Sequence, residues 1–226
     1  MNTRTLLVPV LLLVSVLLSA CLSPSGGAPA VLSPTPTLVP PTAVPTSAQT
    51  TVSPNLFKIP ISITFGPDWR YVGNTEAIQL LYLPSKLFID ILIVDHVTLL
   101  ESGDPPTRIP FPDDFVGYLQ SNDFWSEITP ANPVSIGGAN GYQIDAIGTS
   151  SASSRSGYLS FENIAHKEFI YPTPQKIRFF FFDNILGNRL LIVVGTDDPD
   201  LLSIPQFDAI LPEVQEVLDT VVFSQP

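Results

Sequence analysis

Over residues 57–65 apolar and polar side chains alternate for most of the run, which is the period of a strand with one buried face, despite Pro60. Gly66-Pro67-Asp68-Trp69 then predicts a turn closed by an aromatic anchor. Further strands are expected over 78–83, 87–97, 141–148, 177–183 and 189–194. The last two, Ile177-Arg178-Phe179-Phe180-Phe181-Phe182 and Leu190-Leu191-Ile192-Val193-Val194, are continuous apolar runs joined by a short loop containing Gly187. A hairpin with one wet face would alternate, so both faces of this one must be covered.

Helices are the expected cover. The pattern over 111–122 follows Pro110 and puts Phe111, Phe115, Tyr118 and Leu119 on one stripe, with Asp113 and Asp114 suiting the positive end of a helix dipole. Over 205–220, Phe207, Ile210, Leu211, Val214, Val217 and Leu218 recur at helical spacing, and Pro212 predicts a kink or restart. A short closing strand, Val221-Val222-Phe223, follows. The expected class is α+β: an antiparallel sheet flanked by helices on both faces, preceded by a signal peptide and a disordered linker.

The first strand leading to Trp69, a mid-chain Gly137-Gly138-Ala139-Asn140-Gly141-Tyr142, the late apolar hairpin and a terminal Val217-Leu218-Asp219-Thr220-Val221-Val222-Phe223 resemble the PsbP-like α/β/α sandwich. The resemblance covers residues 55–226. It implies a binding, assembly or accessory module and supplies no shared catalytic set, so the fold alone says little about activity.

The amino terminus follows a different pattern. One positive charge at Arg4 precedes an apolar run over 6–18, interrupted only by Pro9 and Ser15. A membrane-crossing helix needs about 20 apolar residues, so this run reads as a signal peptide, 1–20. It ends in Leu18-Ser19-Ala20-Cys21, which resembles the lipobox of bacterial lipoproteins at all four positions. The resemblance implies cleavage between Ala20 and Cys21 and a diacylglyceryl group on the Cys21 thiol; the competing readings are an ordinary secretory signal with an incidental cysteine and an uncleaved anchor helix. A thioether-linked lipid needs a thiolate nucleophile, and Cys21 is the one cysteine in the chain. It also leaves the folded part without any disulfide.

Residues 22–54 hold eight prolines, eleven serines or threonines and no charge, a composition that cannot bury a face. With Cys21 they are expected to form a disordered stalk, 21–54, able to extend on the order of 100 Å at about 3.1 Å per residue. Residues 55–226 then form one globular domain.

Removal of the leader takes Arg4 with it and leaves nine basic against 21 acidic residues, a net charge of −12. Such a surface repels phosphates, so no nucleic-acid partner is expected. The expected partners are the membrane, through the lipid on Cys21, and an envelope protein, lipid or cell-wall component. The expected location is the extracytoplasmic face of the cell membrane.

Candidate chemistry is sparse. Asp95 and His96 would serve a serine hydrolase if a serine joined them, but no Gly-x-Ser-x-Gly elbow exists, and a surface histidine beside a carboxylate is the plainer reading. Asp197, Asp198 and Asp200 offer hard oxygens for Ca²⁺ without the spacing or distal glutamate of a calcium loop, so no metal is expected there. His166 belongs to a polar loop. The glycines at 137, 138 and 141 lack the Lys and Ser/Thr of a phosphate loop and suit a turn needing positive φ. No cofactor is expected. Asp90 interrupts an apolar run and calls for a partner, with Arg178 or Arg189 at hand. Tyr71, Tyr82, Trp125 and Tyr171 are aromatics suited either to a groove or to the core. The functional expectation is a non-catalytic binding or assembly module, with an atypical envelope hydrolase as the alternative.

Overall fold

The apolar runs at 87–97, 177–182 and 190–194 lie side by side at the centre of the molecule, each burying both of its faces. The structure is a computed structural model that describes residues 48–54, 57–73, 77–100, 107–122, 125–148, 158–163, 168–172, 175–196 and 203–224. The signal peptide, Cys21, the stalk up to residue 47, His166, Asp197, Asp198 and Asp200 lie outside the described residues.

In chain order the elements are β1 (Thr50–Val52), β2 (Ile61–Phe65), β3 (Trp69–Tyr71), β4 (Ala77–Tyr82), β5 (Leu87–Leu100) and β6 (Thr107–Pro110). Helix α1 (Phe115–Gln120) precedes β7 (Trp125–Ile128), β8 (Asn132–Ile136), β9 (Ala139–Gly148), β10 (Tyr158–Asn163) and β11 (Glu168–Pro172). The chain closes with β12 (Lys176–Ile185), β13 (Asn188–Thr196), helix α2 (Ile204–Leu218) and β14 (Val222–Phe223).

All strand pairs are antiparallel, and β5 organises them. Its first half pairs with β4 on one side and β13 on the other, so that Leu92 faces both Ala77 and Leu191. Its second half pairs instead with β6 and β10, where Val97 faces Ile109 and Phe161. One strand thus serves a central sheet, β3-β4-β5-β13-β12-β9 with β7 and β8 on the outer edge of β9, and a smaller one, β6-β5-β10-β11. A separate sheet, β1-β2-β14, stands apart.

Alternation sorts the central residues onto two faces. Ile89, Ile91, Phe180, Phe182 and Ile192 meet Ile61 and Ile63 of β2 and Phe207, Val214 and Leu218 of α2. Phe88, Leu92, Phe179, Phe181 and Leu191 meet Phe115 and Leu119 of α1, Phe161 of β10 and Tyr171 of β11.

This corrects the expected α/β/α sandwich. The covering layers are largely strands: β1-β2-β14 shares one face with α2, and the β10–β11 hairpin shares the other with a helix of six residues. Periodicity reports that a face is buried and is silent on what buries it. The PsbP-like architecture is therefore not the one this chain adopts. The helix expected over 111–122 is shorter because Pro110 and Pro112 hold Phe111 extended, its N–H donating to Asp95 O at 2.8 Å. Asp114 then caps α1 by accepting from Gly117 N–H at 2.8 Å. Arg189 secures the approach by donating to Phe111 O (2.7 Å) and to Asp113. A second correction concerns the stalk, since Thr50–Val52 inside it is strand β1, paired to β2 with Thr51 opposite Thr64.

The glycines divide between two jobs. Gly137 and Gly138 take φ of 58° and 80° in the β8–β9 turn, the left-handed region that a hairpin of this hand requires. Gly141 needs no such φ. A Cβ on it would stand 2.4 Å from the carbonyl oxygen of Phe181, a backbone atom that cannot step aside. Gly141→Ala should push β9 off β12 and lower the melting temperature by several degrees, whereas Gly66→Ala, where a Cβ meets nothing within 4 Å, should leave it nearly unchanged.

Candidate functional site

Helix α2 is built to bury one stripe and present another. Pro205 sits in its first turn, where a missing N–H costs nothing, and Gln206 Oε1 accepts from Ser203 N–H (2.9 Å) and Ser203 Oγ (2.8 Å). Its far end is fastened to β2, with Thr220 Oγ1 accepting from Thr64 N–H at 2.9 Å. Its flank is held by Lys176, which reaches Asp208 at 2.6 Å and Asp145 at 3.3 Å. Asp145 in turn receives Nε (2.6 Å) and Nη2 (2.8 Å) of Arg178. Burial alone would raise the Asp145 carboxyl, but the Arg178 and Lys176 cations outweigh it and hold the group below its ordinary value.

Residues 206, 209, 213 and 216 lie along one side of α2, three or four apart, and overlook the turns before β3 and after β4. Two cavities open along that seam. The larger, about 560 Å³, is bounded by Leu83, Pro84, Ser85 and Lys86 on one wall and Gln206, Ala209 and Ile210 on the other. Leu83 is half exposed there, and Ser85 Oγ is shut off from solvent with no hydrogen-bond partner among the described residues. Lys86 rounds the turn with φ of 56°, a conformation costly for a residue with a Cβ.

The smaller cavity, about 290 Å³, lies further along the helix between Asp68, Trp69 and Tyr82 on the sheet side and Glu213, Glu216 and Val217 on the helix side. None of the residues lining it is basic. Trp69 and Tyr82 are cross-strand neighbours with ring centroids 4.9 Å apart. Burial first, and then the carboxylates of Glu213, Asp68 and Glu216, raise the Tyr82 phenol above its ordinary value, so the ring stays neutral at physiological pH.

The other candidates fall elsewhere. Asp95 and His96 do meet, Oδ2 to Nδ1 at 2.8 Å, at the start of the second half of β5. Arg108 Nη2 stands 3.2 Å from the same nitrogen and also donates to Glu162 at 2.7 Å. The Asp95 carboxylate calls for an N–H on Nδ1 and the Arg108 guanidinium for a lone pair, so the two neighbours compete for one nitrogen. Neither cavity along α2 includes this pair. Asp90 takes its hydrogen bond from Tyr171 Oη at 2.9 Å, while Arg178 and Arg189 are engaged with other carboxylates. Trp125 and Tyr171 are core residues, and Tyr82 lines the smaller cleft beside Trp69. Among the described residues no group of three or more His, Cys, Asp or Glu is placed to hold a metal ion, and no helix is long and apolar enough to cross a membrane.

Fold and site together define an antiparallel β protein with an open, partly acidic groove beside α2, the one long helix among the described residues. Comparison with known proteins finds no family model, no curated protein and no solved structure that matches the chain.

Proposed function

We propose that this chain is an exported lipoprotein, anchored through Cys21 to the extracytoplasmic face of the cell membrane. Its folded unit is a non-catalytic binding module for an envelope partner or ligand. The observation that carries the binding role is the groove itself: two adjoining clefts on one side of α2, with exposed Leu83 in one and Tyr82 beside Asp68 and Glu216 in the other. Concave, partly apolar surfaces with a few inward polar groups are what ligand sites share. The anchoring role rests on the four-residue lipobox and the uncharged segment that follows it. Two or three acyl chains, at about 0.8 kcal/mol per buried methylene, hold a protein durably where one would not.

Cys21→Ser should leave the precursor uncleaved or send the protein to the medium, as read by fractionation and immunoblot. A variant still processed and retained on the membrane would rule out lipidation. For the groove, a photo-crosslinking residue at Ala209 should yield a discrete adduct in intact cells, and one at Asn188 should not. Equal yields at both positions would argue against the groove.

A further inference from the structure

We infer that Asn140 and Gly141 form a self-modifying site gated by the fold: shut while β9 is paired, it converts to isoaspartate when the β8–β9 hairpin opens, and the product does not rejoin the sheet. Asn-Gly is ordinarily the signature of a tight hairpin turn. Here Gly137 and Gly138 make that turn, and Asn140 and Gly141 lie beyond it in β9, opposite Ser135 and Val134. Asn140 is exposed, and no residue with a Cβ fits at 141, because that atom would stand 2.4 Å from the carbonyl oxygen of Phe181. The packing that demands a glycine therefore also preserves the one asparagine-glycine step in the chain.

Such a step reacts with itself because glycine puts no side chain in the way of its own nitrogen. The Gly141 nitrogen, giving up its proton, attacks Asn140 Cγ; the N–Cγ bond forms, the Cγ–Nδ2 bond breaks, and Nδ2 leaves with the proton as ammonia. Water then opens the cyclic imide. Attack at Cγ gives aspartate in an ordinary backbone, and attack at the main-chain carbonyl carbon of residue 140 gives isoaspartate, whose backbone runs through Cβ and Cγ. One water is consumed and one ammonia released, with no redox change. While β9 is paired the ring does not close. Extended backbone carries a large positive ψ, closure needs the Asn140 Cα–C bond rotated far from it, and pairing with β8 opposes that rotation. Isoaspartate adds a methylene to the main chain, which throws out of step a strand that pairs with β8 up to Gln143 and with β12 from Tyr142 onward.

The test is to age the full chain in detergent micelles at mildly alkaline pH, with and without urea, and to follow residue 140 by peptide mass mapping and by an isoaspartyl methyltransferase assay. Conversion should run about tenfold or more faster in urea than in the folded chain, since only opened molecules react. It should be lost in Asn140→Gln, whose longer side chain would have to close a larger ring; in urea this comparison holds whether or not the variant folds. After urea is removed, chains carrying isoaspartate should stay sensitive to protease, while unaged parent and Asn140→Asp, whose backbone keeps its length, should regain the parent's melting temperature. Three results would each overturn the inference: equal rates in the folded and unfolded chains, no more conversion in urea at Asn140 than at Asn188, which precedes an arginine, or isoaspartate-bearing chains that melt like the parent.

Discussion

Phe115→Ala should lower the free energy of unfolding by about 4 kcal/mol, measured by urea denaturation. Phe115 is 1% exposed and stands among four other phenylalanines: Phe111 (ring centroids 5.0 Å apart), Phe161 (6.0 Å), Phe179 (5.7 Å) and Phe181 (5.7 Å). Two of these belong to β12, one to β10 and one to the segment before α1, so the ring is where three parts of the chain meet. The hole left by truncation would be walled by rigid rings on strands, which relax little, and this places the cost well inside the range for buried aromatics. Phe115→Leu should recover more than half of the loss by refilling most of the volume. If the alanine variant unfolds within 1 kcal/mol of the parent, α1 is not packed as described.

Asp145→Ala should cost about 3 kcal/mol at neutral pH, the lower end for breaking a buried ion pair. The site is 7% exposed, and removal of the carboxylate leaves Arg178 and Lys176 facing each other. Two features limit the damage: Lys176 keeps Asp208, and the Arg178 side chain is 17% exposed and able to reach water. Because the folded carboxyl lies below its ordinary value of 3.8, its contribution is fully present above about pH 4 and fades as pH falls through the folded value. The stability gap between the parent and Asp145→Asn should therefore stay constant from neutral pH to about 4 and close below it. A gap that widens on acidification would show that the pair is not the origin of the effect.

The central strands were legible because a run such as Leu190-Leu191-Ile192-Val193-Val194 has few alternatives to being buried on both faces. The covering layers were not. Residues 61–65 alternate as a half-buried strand should, yet nothing local says that their apolar side roofs the large sheet rather than belonging to it. Thr50–Val52 has no apolar pattern of its own and becomes a strand because Phe65, Thr64 and Ile63 offer an edge. β5 changes partners at Asp95-His96, a polar pair that reads from sequence as candidate chemistry rather than as the point where one strand passes between sheets. The cleft was the least visible of all. Asp68 and Trp69 read as a turn and Tyr82 as one aromatic among several, while Glu213 and Glu216 fall outside the apolar stripe of the helix and draw no notice; the fold brings them together beside one cleft.

The shared strand β5 also governs when the chain is able to fold. Its first half is complete only when Leu87 finds Thr196, 109 positions later, and β2 is tied to the end of α2 by a hydrogen bond spanning 156 positions. Contacts so distant close large loops before any gain is felt, so folding is slow and waits on the carboxy terminus. A polypeptide threaded across a membrane amino terminus first would stay extended until almost its last residue had emerged. The same topology that unites the sheets would thus keep the chain pliable during such a transit.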